Sequence, residues 1–427
     1  MAAVRRAWRP RPGTVPQLLI FVAVLGHLAA GEFALWAGGS FQMFVGEETF
    51  YERSTDLSYV VKINSDSSFS SPGGLNNAVN ALVGYQGKLI LGGYFTTTNG
   101  RSALYITAYD GRIWSTLGAG VDQPVRTLAV MDDVLYVGGW FQHANGLSAR
   151  HIASWNGNEW RTLGQGCDDL VTTMAAFNGE LYVGGLFTSA GGVAASRVAR
   201  WNPYQYSWSD VGAGVDGQPM AMHVIGDLLY IGGEFNTAGG MSANYTAAID
   251  RANQWHKLGV GTSADVYALT SYKGELVVGG RFGSANSGSG WITCRCLCRW
   301  NGSSWAAFPG GIFGGTVSAL AVFNNTLYAS GLFTEVDTSS IKHLAAFNAQ
   351  SSQWYQVGSG LEKFAITFAI VDLPPEVDST VVRLTFIIPE VILLFVGPIV
   401  FILLLFFSLV YSQSSSRSPN LNRTIPP

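Results

Sequence analysis

Short apolar runs alternate with compact polar breaks along most of this chain, and their spacing recurs. Val125 to Val130 is an apolar run, broken by Asp132-Asp133, and Leu135 to Phe141 is a second run that ends Gly-Gly-Trp-Phe. A polar stretch leads to His151–Trp155, then Asn156-Gly157, then Trp160 to Leu163. Runs of this length between turn residues predict strands. Asn-Gly is a strong hairpin signal because a type I′ turn needs positive φ at both central residues. Asp110-Gly111, Asn178-Gly179 and Asn301-Gly302 repeat that chemistry. The unit therefore predicts four antiparallel strands joined by tight turns.

The unit recurs along the chain. Gly-Gly pairs stand at Gly38-Gly39, Gly92-Gly93, Gly138-Gly139, Gly184-Gly185, Gly232-Gly233 and Gly279-Gly280, with Ser330-Gly331 as a degenerate seventh copy. Successive pairs are 46 to 54 residues apart. Phe follows each pair, at Phe41, Phe95, Phe141, Phe187, Phe235, Phe282 and Phe333. Trp114, Trp160, Trp208, Trp255, Trp305 and Trp354 close the later copies, with Phe69 in the first. Such a period of four-stranded units describes propeller blades. The first copy begins at its second strand, Phe33 to Phe41, and the segment 364–371 matches the strand it lacks. The expected fold is all-β: a seven-bladed β-propeller of four-stranded antiparallel blades, its ring closed by that C-terminal strand. Closure removes the open edge that a repeat sheet otherwise presents. Regular recurrence of the tryptophans predicts packing between neighbouring blades.

The two ends set the expected compartment. Met1-Ala-Ala-Val-Arg-Arg, an apolar run from Leu18 to Leu25 and the small residues Ala29, Ala30 and Gly31 have the order of a secretory signal peptide. Residues 386–411 are almost wholly apolar, with Glu390 the one charge, and predict a C-terminal transmembrane helix. Val391 to Tyr411 alone supplies 21 residues, enough to cross about 30 Å of hydrocarbon. The expected organisation is a signal peptide (1–31), an extracytoplasmic propeller (32–372), a stalk (373–385), the membrane span (386–411) and a cytoplasmic tail (412–427). Arg417 and Arg423 in the tail agree with that orientation.

Composition narrows the function classes. Charged residues make up 12% of the chain, hydrophobic residues 48%, and there are 52 glycines, as a Gly-turned buried β structure requires. The net charge of −3 offers no basic field for nucleic acid.

The unit Leu135-Tyr-Val-Gly-Gly-Trp-Phe141, with Ile152-Ala-Ser-Trp-Asn-Gly157 and Trp160-Arg-Thr-Leu-Gly164, resembles kelch and galactose-oxidase-type propeller repeats. Trp-x-x-Leu-Gly-x-Gly-Val-Asp followed by Leu-Tyr-Val-Gly-Gly-x-Phe is similar to the cortical marker for cell polarity family of fungal cell-surface proteins. That resemblance runs from residue 33 to about 371. It implies a type I membrane glycoprotein that serves as a landmark for bud or growth-site selection. Copper-radical oxidases of this fold need two histidines, two tyrosines and a tyrosine-linked cysteine at the axis, and that set does not assemble from this sequence.

The candidate chemistry is sparse. Asp122, Asp168 and Asp216 hold equivalent places, where Asn76, Ser263, Gly314 and Glu362 stand in the other copies. A ring of carboxylates would suit Ca²⁺, and stabilisation of turns by short polar side chains explains the same set. His151 and His343 are equivalent but sit in distant blades. No catalytic residue, metal ligand or cofactor is assigned. Cys294, Cys296 and Cys298 fall in one strand; in an oxidising compartment Cys294 and Cys298 are the disulfide candidates, provided the strand is distorted, and a zinc site is the alternative. Asn244-Tyr-Thr, Asn301-Gly-Ser and Asn324-Asn-Thr are N-glycosylation sequons in turns or loops.

The expected role is a non-catalytic cell-surface receptor or landmark, with a membrane-tethered lectin or carbohydrate-active enzyme as the alternative. The connections between second and third strands would form the binding face, with Asn99, His143, Asn145, Arg150, Arg197 and Trp291 among its residues. The partner would be an extracellular protein or glycan. The tail, through Ser418-Pro419, could dock a cytoplasmic partner.

Overall fold

The computed structural model describes residues 33–40, 59–313, 315–337, 339–361 and 365–373. The chain divides into two compact units, residues 1–375 and 376–427, and every described residue belongs to the first. The signal peptide, the membrane span 386–411 and the tail expected from the sequence lie outside the described residues. Among the described residues no helix is long and apolar enough to cross a membrane.

Among the described residues seven antiparallel sheets have four strands each. The third is typical: Val125–Met131, Val134–Gly139, Ile152–Trp155 and Trp160–Thr162 lie side by side in that order. The first strands of the second to seventh sheets are Val79–Tyr85, Val125–Met131, Val171–Phe177, Gln218–Ile225, Val266–Tyr272 and Ala319–Phe323. The first sheet takes its first strand from the other end of the propeller sequence. Ala365–Asp372 pairs antiparallel with Phe33–Gly39, with Ala34 opposite Val371 and Ala37 opposite Phe368.

In the first six sheets the second strand is buried along nearly its whole length, as in Leu135–Gly139, where alternation of buried and exposed residues would mark a sheet with one wet face. Both faces of a sheet are covered by its neighbours. The buried apolar side chains accordingly form clusters at the seams between consecutive sheets. A further cluster joins Leu344, Ala346 and Val357 of the seventh sheet to Leu35, Val61 and Ala365 of the first. Phe95, Phe141, Phe187, Phe235, Phe282 and Phe333 are fully enclosed.

The Gly-Gly pair divides its work. A Cβ on Gly138 would lie 2.6 Å from Val171 Cγ1 in the next sheet, and one on Gly92 would lie 2.4 Å from Val125 Cγ1. The first glycine thus leaves room for the neighbour's valine. The second meets its own sheet: a Cβ on Gly139 would lie 2.4 Å from the Pro124 carbonyl oxygen, beside a bulge between Val125 and Thr127.

The tryptophans tie consecutive sheets together. Trp160 Nε1 donates to the Leu117 carbonyl, Trp208 to Leu163, Trp255 to Val211, Trp305 to Leu258 and Trp354 to Pro309, all between 2.8 and 2.9 Å. Each acceptor lies one or two residues past the last strand of the preceding sheet. Phe69 takes this place in the first sheet, where its ring lies against Gly358 of the seventh.

Candidate functional site

The connections between second and third strands, expected as open loops, are largely small hairpins. Thr97–Thr98 pairs with Arg101–Ser102, His143–Ala144 with Leu147–Ser148, and Ser189–Ala190 with Val193–Ala194. Asn99 and Asn145 are turn residues with φ of 48° and 49°, a left-handed backbone that Asn tolerates better than most. The aspartates hold these hairpins down. Asp122 Oδ1 accepts from the Gln142 and His143 amides at 2.9 and 3.0 Å, and its Oδ2 lies 2.7 Å from His143 Nδ1. Asp168 accepts from the Thr188 and Ser189 amides, Asp216 from Asn236 and Thr237. Asn76 and Ser263 do the same for their own hairpins. These side chains therefore staple the following hairpin, across about 20 residues of sequence, rather than a local turn. Gly314 and Glu362 lie outside the described residues.

Burial works to raise each of the three carboxyls, but the amide and side-chain bonds outweigh it and hold Asp122, Asp168 and Asp216 below the usual carboxylate range.

The cysteine segment is distorted in the way that a Cys294–Cys298 disulfide requires. The third strand of the sixth sheet begins at Leu297, and Arg295 and Cys296 before it have φ of 51° and 68°. That turn brings Cys294 and Cys298 to a Cα separation of 5.2 Å, and they form a disulfide. Cys296 points elsewhere, its thiol donating to the Gly315 carbonyl at 3.1 Å. Cys167 is a buried thiol, and burial raises it far above its usual value.

Two sets of repeat positions recur at this end of the sheets. One is the residue after each glycine pair. It is Tyr94, Trp140, Leu186, Glu234, Arg281 and Leu332 in successive sheets, and Tyr94, Trp140 and Leu332 are 43%, 44% and 50% exposed. The other is the residue just before each third strand. Tyr105, His151, Arg197, Tyr245, Cys296 and His343 all have φ between 61° and 70°. Each of these residues closes the same loop. Arg197 N donates to the Phe187 carbonyl at 3.1 Å, and the Arg197 carbonyl accepts from Gly185 N at 3.0 Å. Left-handed backbone at an L-residue costs about 1 kcal/mol, and these paired bonds maintain it.

The sets converge in a cavity of about 460 Å³ between the fourth, fifth and sixth sheets. Arg197, Asp216, Glu234, Tyr245, Asp265 and Arg281 line it. Asp265 has a nearly buried carboxylate, bound at 2.6 Å by Arg281 and at 3.2 Å by the Tyr267 hydroxyl. Burial first, then Asp265, raises the Tyr267 phenol. A recess with two guanidinium groups and three carboxylates, with half-buried Leu186 and Tyr245 in its wall, can bind a partner that has both charge and apolar surface.

Of the residues expected at the binding face, only Arg197 lines this cavity. Asn99, His143, Asn145 and Trp291 sit on the outer hairpins; Arg150, exposed with φ of 41°, adjoins His151. Glu234, Tyr245, Asp265 and Arg281 were not expected. For Glu234 and Arg281 the sequence signal is the variable residue of Gly-Gly-x-Phe, which stands out against its constant neighbours.

A second recess opens between the third and fourth sheets, beside the hairpin that joins Val198–Asn202 to Ser207–Asp210. Tyr204 and Tyr206 there are 75% and 69% exposed. The Tyr204 hydroxyl donates to Asp132 Oδ2 at 3.0 Å, and Tyr206 meets Trp201 edge to face at 6.1 Å. With Tyr136, Asn156 and Arg161 they enclose about 220 Å³. Burial, and then Asp132, pushes the Tyr136 phenol up to about 12.

Comparison with known proteins agrees with this architecture. Residues 244–372 match the model of the Rax2 C-terminal beta propeller domain. Residues 178–203 match a beta-propeller domain of unknown function, DUF5122. No curated protein matches the chain. Among solved structures, the computationally designed Ika8 protein is similar at 13% identity and a TM-score of 0.46, over 70% of this chain and 95% of its own. Repeated four-stranded antiparallel sheets and both family models identify the chain as a β-propeller protein.

Proposed function

We propose that the seven four-stranded sheets are the blades of one closed propeller, and that the chain is a non-catalytic cell-surface protein which marks or receives a cortical polarity signal. The closed ring is supported by the apolar seam that joins the seventh sheet to the first. The polarity role draws on the resemblance of the repeats to cortical markers and on the Rax2 propeller match over residues 244–372. The extracytoplasmic placement draws on the signal-like start and the apolar run 386–411.

One observation carries the binding role: exposed Tyr94, Trp140 and Leu332 share their repeat position with Glu234 and Arg281 of a mixed-charge recess. Aromatic and arginine side chains of this kind anchor protein interfaces. The ligand on this reading is an extracellular protein with an acidic and basic surface.

The test is localisation of the tagged full-length chain in its own cell. The parent concentrates at growth sites. Trp140→Ala with Arg281→Ala reaches the surface in equal amount but spreads evenly and loses its cross-linked partner. Uniform distribution of the parent itself would overturn the landmark reading.

A second reading, a glycan-binding lectin, is favoured by the Tyr204, Tyr206 and Trp201 recess, where aromatic faces adjoin Asp132, Asn156 and Arg161. Binding of the intact chain to a glycan array, lost in Tyr204→Ala with Tyr206→Ala, would support it over the protein-docking reading.

A further inference from the structure

Tyr85 ends the first strand of the second sheet and seals that sheet to the third. Its hydroxyl donates to the Asp133 carbonyl at 3.1 Å and approaches the Trp155 carbonyl at 3.4 Å. Tyr272 holds the same register position in the sixth sheet, opposite Glu275 as Tyr85 is opposite Lys88. Tyr272 is 7% exposed, yet its hydroxyl has no hydrogen-bond partner. Its ring meets Phe347 of the seventh sheet edge to face at 6.4 Å, and the seam is open beside that contact. Two recesses of about 150 and 630 Å³ adjoin, and Tyr272, Lys273 and Ala349 line both.

Asn324 lies on the wall of the larger recess, with Asn325, Thr326, Asn348 and Tyr355. It opens the sequon Asn324-Asn-Thr and sits exposed in a tight turn, with φ of 47° followed by 58° at Asn325. A sequon in an exposed turn is accessible to the modifying enzyme. The first sugar of an N-glycan is a 2-acetamido pyranose, with an apolar ring face, hydroxyls and an amide. The recess supplies matching groups. Tyr355 is 38% exposed and offers an aromatic face, Lys273 carries an ammonium 5.5 Å from the Tyr272 ring centroid, and Asn348 offers its amide NH2, its Oδ1 accepting from the Gln350 and Ser351 amides. A volume of about 630 Å³ lies in the range of small-molecule sites. Asn301 differs: its Oδ1 accepts from the Ser303 and Ser304 amides in a hairpin turn, and it lines neither recess.

We propose that Asn324 is glycosylated and that its first sugar packs into the open seam between the sixth and seventh sheets, as a covalent filler where the second sheet uses a tyrosine hydrogen bond. The inference rests on the extracytoplasmic reading, since the modification takes place in the secretory pathway.

The full-length chain from a eukaryotic secretory host is digested for glycopeptide mass spectrometry. It is also treated with peptide N-glycosidase, native and denatured. Asn324 carries a glycan, and its release from the native chain is at least about tenfold slower than from the denatured chain, because the sugar must first leave the seam. Tyr355→Ala with Lys273→Ala narrows that difference. Thr326→Val, which removes the sequon, lowers the melting temperature, while Thr326→Ser, which keeps it, does not. A bare Asn324 beside a glycosylated Asn301 would overturn the inference alone. Bare asparagines at both would overturn it together with the extracytoplasmic reading. Equal native and denatured release would show an unpacked glycan and overturn the packing.

Discussion

The hydroxyl of Ser330 accepts a 2.8 Å hydrogen bond from the backbone amide of Ala365, across the seam between the seventh and first sheets. The same hydroxyl donates to the His343 carbonyl. Elsewhere this position is the first glycine of the pair, and the residue facing it is large: Val79 beside Gly38, Val125 beside Gly92, Val266 beside Gly232. At the closing seam the sizes are exchanged, with a serine facing an alanine. The degenerate copy is therefore a complementary substitution.

Ser330→Ala is expected to cost about 1–3 kcal/mol, because it leaves the buried Ala365 amide without its acceptor. Thermal or denaturant unfolding measures this. A loss under about 0.5 kcal/mol, the size of an ordinary surface change, would mean that the seam does not depend on this bond.

Gly232→Ala is expected to destabilise by about 1–3 kcal/mol through overpacking. Its Cβ would lie 2.3 Å from Val266 Cγ1. The double change Gly232→Ala with Val266→Ala, which copies the small-on-small character of the closing seam, should recover part of that loss. Additive losses in a double-mutant cycle would refute the contact.

Trp208→Phe and Trp114→Phe are expected to differ. Trp208 Nε1 donates to the Leu163 carbonyl at 2.8 Å, whereas Trp114 Nε1 is buried with no partner. Phenylalanine at 208 removes one of two bonds to the Leu163 carbonyl, which keeps the Gly166 amide at 3.1 Å, and costs about 0.5–1.5 kcal/mol, while at 114 it removes an unpaired donor and costs less. Equal changes in melting temperature would contradict the role given to the indole bond.

Acid should loosen the hairpin staples. The folded carboxyls of Asp122, Asp168 and Asp216 titrate below the ordinary value. Their stabilisation is therefore complete above the unfolded aspartate pKa of about 3.9 and is lost as pH falls through the lower folded value. The melting temperature should be level from neutral pH to about 5 and decline below about 4. Changing all three to Asn, which already does this work at Asn76, should preserve the neutral melting temperature and flatten the acid decline. An unchanged decline would assign the acid sensitivity to other groups.

Much of the fold was legible because it is repetitive. Gly138-Gly139, Asn156-Gly157 and Trp160 each mark a strand end, a turn and an outer strand, and the structure puts them there. The site was less legible. Asn99 and Asn145 looked like free loop residues because Asn-Gly turns serve hairpins of any size, and the short strands that flank them have only two residues each. The Cys294–Cys298 bridge and the distortion it needs were legible, but not that the strand starts only at Leu297, because the left-handed turn at Arg295 and Cys296 follows from the bonds that hold every third strand rather than from local preference.

The amino-acid sequence by itself determined the unit: its strand number, its turns, its glycine pair and the displaced strand, read at 364–371 and found at Ala365–Asp372. Those features follow from local sterics and from the period of apolar residues, and both are written in neighbouring positions. Only the tertiary structure decided which side chains meet between sheets. Arg281 reaches Asp265 within one sheet, but Arg197, Glu234 and Tyr245 join them in one cavity only because consecutive sheets pack face to face. Contacts between residues about 40 to 80 positions apart depend on how the sheets stack, and no local preference encodes that.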